Sequence, residues 1–390
     1  MEVTGERPNR NYGIDLLRIV AMLMICVLHV CNQGGILTHT SLTSSPDHYR
    51  TGWLLDCLTY ASVNIYAMMA GYVGYRKSFK ISRPLGIWLQ LIFYSLIGTA
   101  LVARFFPALM TETSWLQSAL PVLYREYWFY TAYFGMVILS PLLNAGMQKM
   151  DFRTHGLVCL GILLFFSILP TVLNVSPFTL SNGFSTIWLC AMYVVGGYLE
   201  KMNKPNPLVC FLFFVAASLI TWFFKINGVP RAHNYTSHTV VIAAAAIVLC
   251  FSQIRIRSGA VQKIIGFIVP SVLPVFTIHV HTLLWSGVIK DRAVPFLSRQ
   301  PLVMALEILA SGILIFVFCF AVDLIRRGLF RLLRVRSLLD LADRGFSRIL
   351  SGKPAEKAED PQDAEAAESA PETPEGEAAG AADSAGADSP

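Results

Sequence analysis

Charged side chains are scarce in this sequence. Asp, Glu, Lys and Arg make up 14% of the 390 residues, whereas 54% are hydrophobic and the mean hydropathy is +0.54. This balance lies well outside that of a soluble globular domain. The composition therefore predicts an integral membrane protein, and no nucleic-acid partner is expected.

Cysteine patterns that would indicate a zinc site or a disulfide scaffold are missing. The eight cysteines include no C-x-x-C pair, and nearly all fall inside apolar runs, at Cys26, Cys31, Cys57, Cys159, Cys190, Cys210, Cys250 and Cys319. We interpret them as small packing residues, with one optional bridge between Cys31 and Cys57. No metal and no bound cofactor are predicted.

Acidic residues are rare outside the C-terminus. Residues 355–390 hold 11 acidic residues and one lysine, which leaves 30 basic and 14 acidic residues in the rest of the chain. The segment has almost no large apolar side chains, so burial cannot offset the entropy of ordering it. We expect residues 351–390 to form a disordered acidic tail, either plainly solvated or used for interactions.

Long apolar runs recur through the remaining chain. A helix needs about 20 apolar residues to cross the hydrocarbon core, and ten such runs are present, at approximately 14–34, 53–75, 84–106, 126–148, 156–174, 184–200, 207–224, 237–252, 264–288 and 301–324. The predicted fold is therefore an all-α bundle of about ten transmembrane helices.

Basic residues concentrate in alternate links between these runs, for example in "YRKSFKISR" (75–83) and "DLIRRGLFRLLRVR" (323–336). Because Lys and Arg stay on the cytoplasmic side, both termini should be cytoplasmic. The predicted organisation is a cytoplasmic N-terminus (1–13), a transmembrane domain (14–325), a basic amphipathic juxtamembrane helix (326–350) that lies on the inner leaflet, and the acidic tail.

The first run contains two costly side chains, Arg18 and His29, in "RIVAMLMICVLH". Eleven residues of α-helix turn about 20° beyond three full circles and rise about 16.5 Å, so the two share one face. Ionisable groups inside a span indicate a functional site by default. Individually, Arg18 could be a boundary arginine paired with Asp15, and His29 a hydrogen-bonded structural histidine.

His29, His279 and Glu307 are predicted to lie at one depth in the membrane, because each is a similar number of residues from the inner end of its span. If their helices adjoin, the carboxylate could orient an imidazole, as a general base requires. The alternative is a set of separate polar contacts between helices.

Four stretches resemble the membrane acyltransferase-3 family in the family's order. They are "NYGIDLLRIVAMLMICVLH" (11–29), "SVNIYAMMAGYVGY" (62–75), "EYWFYTAYFGMVILSPLL" (126–143) and "LPVFTIHVHTLLW" (273–285). The resemblance implies ten helices and the transfer of an acyl group from acyl-CoA, usually acetyl-CoA, to a sugar hydroxyl of a cell-surface or lipid-linked glycan. It also implies a multi-pass protein of the cell (inner) membrane.

The resemblance further implies roles for individual residues. His29 matches the catalytic base, Arg18 supports the donor, and Lys80 and Arg83 match a basic pair of the family, with lysine in place of the first arginine. This chain departs from the family at Asn64, where many members have an aspartate, which puts a proton-carrying role there in doubt.

Glu126, Trp128 and Tyr133 lie at the outward end of the span 126–148. They are candidates for sugar contacts, although aromatic residues there also form interfacial belts. Two other functions stay open: a transporter or flippase of lipid-linked glycan, which would favour paired broken helices, and a glycan polymerase or ligase, which would show a large external loop.

Overall fold

The computed structural model describes residues 10–281 and 284–351, and over these residues all regular secondary structure is helical. The helices are α1 (Tyr12–Asn32), α2 (Pro46–Thr59), α3 (Ser62–Gly74), α4 (Ser82–Phe105), α5 (Ser114–Ala119), α6 (Trp128–Lys149), α7 (Phe152–Val172), α8 (Thr186–Lys201), α9 (Pro207–Ile226), α10 (His238–Ser252), α11 (Gly259–Val280), α12 (Pro301–Leu332) and α13 (Val335–Ser351). The predicted acidic tail falls beyond Ser351 and lies outside the described residues.

Six of the described helices are long and apolar enough to cross a membrane: α1, α4, α7, α9, α11 and α12. Each corresponds to a run predicted from the sequence. The all-α membrane architecture is therefore confirmed. α1 is the most enclosed of the six, with 67% of its apolar window buried, because α2, α3, α10, α11 and α12 pack around it.

The second predicted span, 53–75, is not one helix. α2 ends at Thr59 and α3 begins at Ser62. The Thr59 hydroxyl donates to the carbonyls of Leu55 and Asp56 at 2.9 and 3.0 Å, and such back-bonding competes with the helical ladder and bends helices. Tyr60 then stacks on His233 with ring centroids 3.7 Å apart, which holds the break in place.

The ninth predicted span, 264–288, also ends earlier than expected. α11 stops at Val280, His281 has extended backbone, and a π-helical turn follows at Trp285–Ile289. This irregular segment is fastened to the end of α1, because Gln33 Nε2 donates to the Trp285 carbonyl at 3.0 Å and the Asp291 amide donates to the Gln33 carbonyl at 2.9 Å.

The predicted juxtamembrane helix, 326–350, begins later in the structure. α12 runs without interruption to Leu332, Arg334 has a left-handed backbone (φ 50°), and α13 follows. Arg326 is buried in the bundle, where it donates to Asp323 at 2.6 and 3.1 Å, and Asp323 also accepts from the Tyr94 hydroxyl at 2.5 Å. This buried ion pair holds Arg326 in the bundle, so the helix break comes after position 326 and not at it.

Helices α3 and α8 cross at two glycines. A Cβ on Gly71 would lie 1.9 Å from the carbonyl oxygen of Tyr193, and a Cβ on Gly196 would lie 2.0 Å from that of Met68. The two backbones therefore touch, as small residues allow in membrane helix pairs.

Candidate functional site

Helix α1 carries the two residues at the centre of the site. Its first turn is capped by Asn11, whose side chain accepts from the Ile14 amide at 3.1 Å, which satisfies one of the helix's free donors. The helix runs unbroken from Tyr12 to Asn32. Arg18 and His29 therefore lie on one face, about 16.5 Å apart along the axis.

His29 is paired with a second histidine. Its Nδ1 lies 2.8 Å from Nε2 of His279, and Nδ1 of His279 lies 2.6 Å from the Val275 carbonyl oxygen. A carbonyl only accepts, so with both rings neutral Nδ1 of His279 carries the proton and its Nε2 accepts from Nδ1 of His29. This leaves Nε2 of His29 with a free lone pair, the state of a general base.

Aromatic rings surround the His29 imidazole. Trp285 stands edge-on to it at a centroid distance of 4.7 Å, and Phe276 lies 6.1 Å away. Phe129 continues the row, 5.5 Å from Phe276 and 6.1 Å from Tyr66. Tyr66 donates to the Arg18 carbonyl at 2.7 Å, so this aromatic row runs from His29 to Arg18.

Glu307 does not orient either histidine. Its Oε1 lies 3.8 Å from Nε of Arg299, and its side chain is 32% exposed. The predicted carboxylate partner of the imidazole is replaced by the backbone carbonyl of Val275, acting through His279. The structure brings the two histidines into contact, but a common predicted depth does not say which way a side chain on another helix points.

Arg18 is held by an acidic residue that it shares with Arg10. Asp15 is buried and accepts from Nε of Arg10 at 2.5 Å and from Nη1 of Arg18. The ion pair between Arg18 and Asp15 that spacing suggested is therefore present. The Arg18 side chain nevertheless stays 31% exposed, so part of the guanidinium is free to meet a ligand.

Two further cations, Lys77 and Arg83, lie in the same region as Arg18. Lys77, in the loop after α3, is exposed, and partial desolvation of its ammonium group together with the charges of Arg83 and Arg18 lowers its pKa below the usual 10.5. Lys80 is exposed and, like Arg83, interacts electrostatically with Asp343. We call Arg18, Lys77 and Arg83 the cationic cluster; Lys80 lies beside it, on the Asp343 side.

A larger cavity opens at the same end of α1. Its volume is about 1280 Å³, and its lining includes Arg10, Lys204 and Arg255 but no carboxylate among the residues that the structure describes. Asp15 separates it from the cationic cluster, because Arg10 and Arg18 bind opposite oxygens of that carboxylate. The Arg18 end of the bundle therefore presents positive charge on both sides of Asp15.

The Asn64 side chain links separate elements of the fold through hydrogen bonds. It is fully buried, donates to the Tyr235 carbonyl at 2.8 Å, and accepts from the Trp188 indole at 2.9 Å. Both ends of the amide are used to join α3 to α8 and to the segment before α10. A neutral amide, which donates and accepts at once, fits this position better than a carboxylate.

The three candidates for sugar contacts point in different directions. Trp128 packs on Phe184 at 4.4 Å. Tyr133 stacks on Phe129 at 5.6 Å and interacts electrostatically with Arg18 and Arg83, so it belongs to the Arg18 end. Glu126 accepts from the Ser95 hydroxyl at 2.6 Å and lines a second, smaller cavity.

Sequence reasoning missed a polar group at the far end of α1. Asp56 is fully buried and accepts from Asn32 at 2.6 Å and from His233 at 2.5 Å; its neighbour Cys57 completes a set of O, S and N donors within 4.8 Å of one another. Lys77 and Trp285 were also missed. The signal for Lys77 was present, because it lies in the same basic loop as Arg83.

A family of known proteins matches this chain. The sequence model of the Acyl_transf_3 family, described as an acyltransferase domain, matches residues 11–324. This range extends from the cap of α1 into the last third of α12, and so covers both histidines and the cationic cluster. No curated protein and no solved structure matches the chain.

Proposed function

The chain belongs to the acyltransferase-3 family and is a multi-pass membrane acyltransferase, and from this premise we propose the reaction that it catalyses. It transfers an acyl group, in the simplest case acetyl, from acyl-CoA to a sugar hydroxyl of a cell-surface or lipid-linked glycan. The protein works in the cell membrane, with acyl-CoA as co-substrate.

The observation that carries this proposal is the free Nε2 of His29. Hydrogen bonds from His29 through His279 to Val275 fix the imidazole in the tautomer that accepts a proton at Nε2. A correctly held base of this kind contributes about 10²–10⁴ in rate to a transfer that needs a hydroxyl deprotonated.

The cationic cluster supports an anionic donor. Coenzyme A carries phosphates, and guanidinium groups bind phosphate oxygens in pairs. In this proposal Arg18, Lys77 and Arg83 hold the nucleotide, with Lys80 at the edge. The rise of about 16.5 Å from Arg18 to His29 is comparable with the length of the pantetheine arm, and the aromatic row supplies apolar surface along that path.

The chemical step then follows. The sugar hydroxyl oxygen attacks the thioester carbonyl carbon while Nε2 of His29 takes the hydroxyl proton. A C–O bond forms, the C–S bond breaks, and the coenzyme A thiolate leaves. The proton on His29 passes to that thiolate, which restores the neutral imidazole and leaves an ester on the sugar.

The proposal needs the Arg18 end of the bundle to face the cytoplasm, where acyl-CoA is made. The alternation of basic loops predicts this orientation, with both termini inside and ten spans. Ten spans require α2 and α3 to cross together as one broken span. His29 then lies towards the outer side, where a glycan acceptor is available.

The test is the acyl content of cell-surface glycan, measured by mass spectrometry. A deletion strain is complemented with the wild-type protein or with His29→Ala at matched membrane levels. We expect only the wild type to restore an ester-linked acyl group, and the mass increment identifies that group. Met24→Ala, which truncates a partly buried side chain of the same helix, is the matched control for damage to α1.

The other outcomes discriminate between the alternatives. If His29→Ala restores the ester as well as the wild type does, His29 is structural and the mechanism is wrong. If neither protein restores an ester, and the deletion strain accumulates lipid-linked glycan on the inner side of the membrane, the transporter or flippase function is favoured instead.

A further inference from the structure

The second cavity lies near the far end of α4, remote from the cationic cluster. It has a volume of about 160 Å³ and is bounded by Thr99 and Val102 of α4, by the segment 109–118, and by Glu126 and His281. This space accommodates a group the size of one sugar ring and is far too small for a nucleotide.

The lining has the chemistry of a carbohydrate site. Hydroxyl and amide side chains form half of it, including Thr111, Ser114, Gln117 and Ser118, while Val102 and Met110 add apolar surface. Among the described residues that line it, Glu126 is the one carboxylate and none is a lysine or arginine. Such a wall offers donors and acceptors to hydroxyls and repels anions.

The cavity is joined to His29 by a short piece of chain. His279 is hydrogen-bonded to His29, and His281, two residues later, lines the cavity. The His281 ring lies directly against α4 at Gly98, where a Cβ would be only 2.3 Å from Nε2 of His281. One wall of the cavity therefore lies two residues along the chain from the imidazole pair.

We propose that this cavity binds the acceptor as a neutral hexopyranose ring, with Glu126 as the main specificity-determining contact. The inference rests on the proposed function, since it names the acceptor class of the same site. Ser95 holds Oε2 of Glu126 at 2.6 Å, and the carboxylate accepts a ring hydroxyl. The adjacent hydroxyl of the same ring is presented towards His29.

The test measures binding without relying on transfer. Ser114→Cys places a thiol in the cavity wall of the purified full chain, and a maleimide labels it; the parent protein gives the background from native cysteines. Neutral methyl glycosides of glucose, galactose, mannose, rhamnose and N-acetylglucosamine are the probes. We expect at least one of them to slow labelling saturably, and methyl phosphate to leave the rate unchanged.

Removing the charge of Glu126 tests whether this residue contacts the sugar. Glu126→Gln in the Ser114→Cys background should raise the glycoside concentration for half protection by about tenfold, because a hydrogen bond to a charged acceptor is lost. Glu112→Gln makes the same chemical change on an exposed residue of the same segment, and should leave protection unchanged. Gln117→Cys replaces Ser114→Cys if that variant fails to fold.

The outcomes separate this inference from the proposed function. Protection by no glycoside up to the solubility limit, stronger protection by methyl phosphate, or equal effects of the two glutamate variants would overturn the sugar subsite. If the glycan ester test succeeds while protection fails, acyl transfer stands and the subsite is elsewhere. If protection succeeds while the ester test fails, the cavity binds sugar but the proposed reaction is wrong.

Discussion

At the scale of single residues, the proposed mechanism makes His279 a positioning residue for His29. His279 connects the His29 imidazole to the Val275 carbonyl and so selects the tautomer. We expect His279→Ala to lower kcat by about tenfold to a hundredfold, a share of what a general base contributes, and to leave KM for acyl-CoA unchanged.

Steady-state kinetics of the purified enzyme measure kcat and KM for acyl-CoA separately. Thr277→Val is the control in the same helix, because Thr277 bonds Tyr130 rather than a histidine. An unchanged kcat in His279→Ala, or an equal loss in both variants, would show that the histidine pair is only a packing contact.

Lys77 gives the site a pH dependence. Partial desolvation and the neighbouring charges of Arg83 and Arg18 lower its pKa in the free protein, so its neutral form appears at a lower pH than for an ordinary lysine. A bound anion favours the protonated form. We therefore expect KM for acyl-CoA to rise as the pH increases through this lowered pKa, below 10.5.

Lys77→Arg keeps the charge throughout that pH range, so the rise in KM should disappear. Lys149→Arg, in the last turn of α6, is the control substitution and should retain the wild-type profile. If KM for acyl-CoA still rises with pH in Lys77→Arg, the titrating group is a different residue.

Spacing along one helix predicts which of its residues share a face, whereas it says nothing about their partners on other helices. The shared face of Arg18 and His29 follows from 3.6 residues per turn alone. The His279 contact was predicted only as a common depth, and Glu307, at the same depth, turned to Arg299 instead. Which helices are neighbours depends on packing over the whole bundle, and a local sequence pattern does not predict that packing.

At the scale of helices, the crossing of α3 and α8 is the tightest point of the bundle. Gly196 has no room for a Cβ against the Met68 carbonyl. We expect Gly196→Ala to push the helices apart and to destabilise the protein by about 1–3 kcal/mol, as overpacking does, which lowers Tm in detergent.

Gly161→Ala is the matched control on α7, because a Cβ there meets nothing within 4 Å. Alanine also favours helix over glycine, so its Tm should stay level or rise. A Tm for Gly196→Ala equal to that of the wild type would contradict the close contact.

The apolar runs predicted most helices, and the exceptions have local causes. The runs carry no information on side-chain back-bonding, so the break after Thr59 was missed. Arg326, which pairs with Asp323 inside the bundle, was predicted to begin the surface helix, because charge alone does not reveal a partner three residues away.

At the scale of the whole molecule, the proposed reaction depends on orientation. Ser78 lies in the basic loop near the cationic cluster, and Glu112 lies in the segment 109–118, beside the cavity that Glu126 lines. Both residues are exposed. We expect Glu112→Cys to react with a membrane-impermeant thiol reagent in intact cells, and Ser78→Cys to react only after permeabilisation.

The reverse pattern would place the cationic cluster outside the cell, away from cytoplasmic acyl-CoA, and would exclude the proposed route for the donor. The parent protein is the control for native cysteines, most of which are buried.

The segment that follows α11 folds back over the end of α1 and brings the Trp285 ring against His29. An activated thioester beside a base is exposed to wasteful hydrolysis, since water is also a nucleophile. A large apolar ring at that point leaves fewer water molecules able to approach the imidazole. In the proposed reaction, the same fold-back that ends the ninth span early favours productive transfer over loss of the donor, and Trp285 is then expected to set how much acyl-CoA is consumed per ester formed.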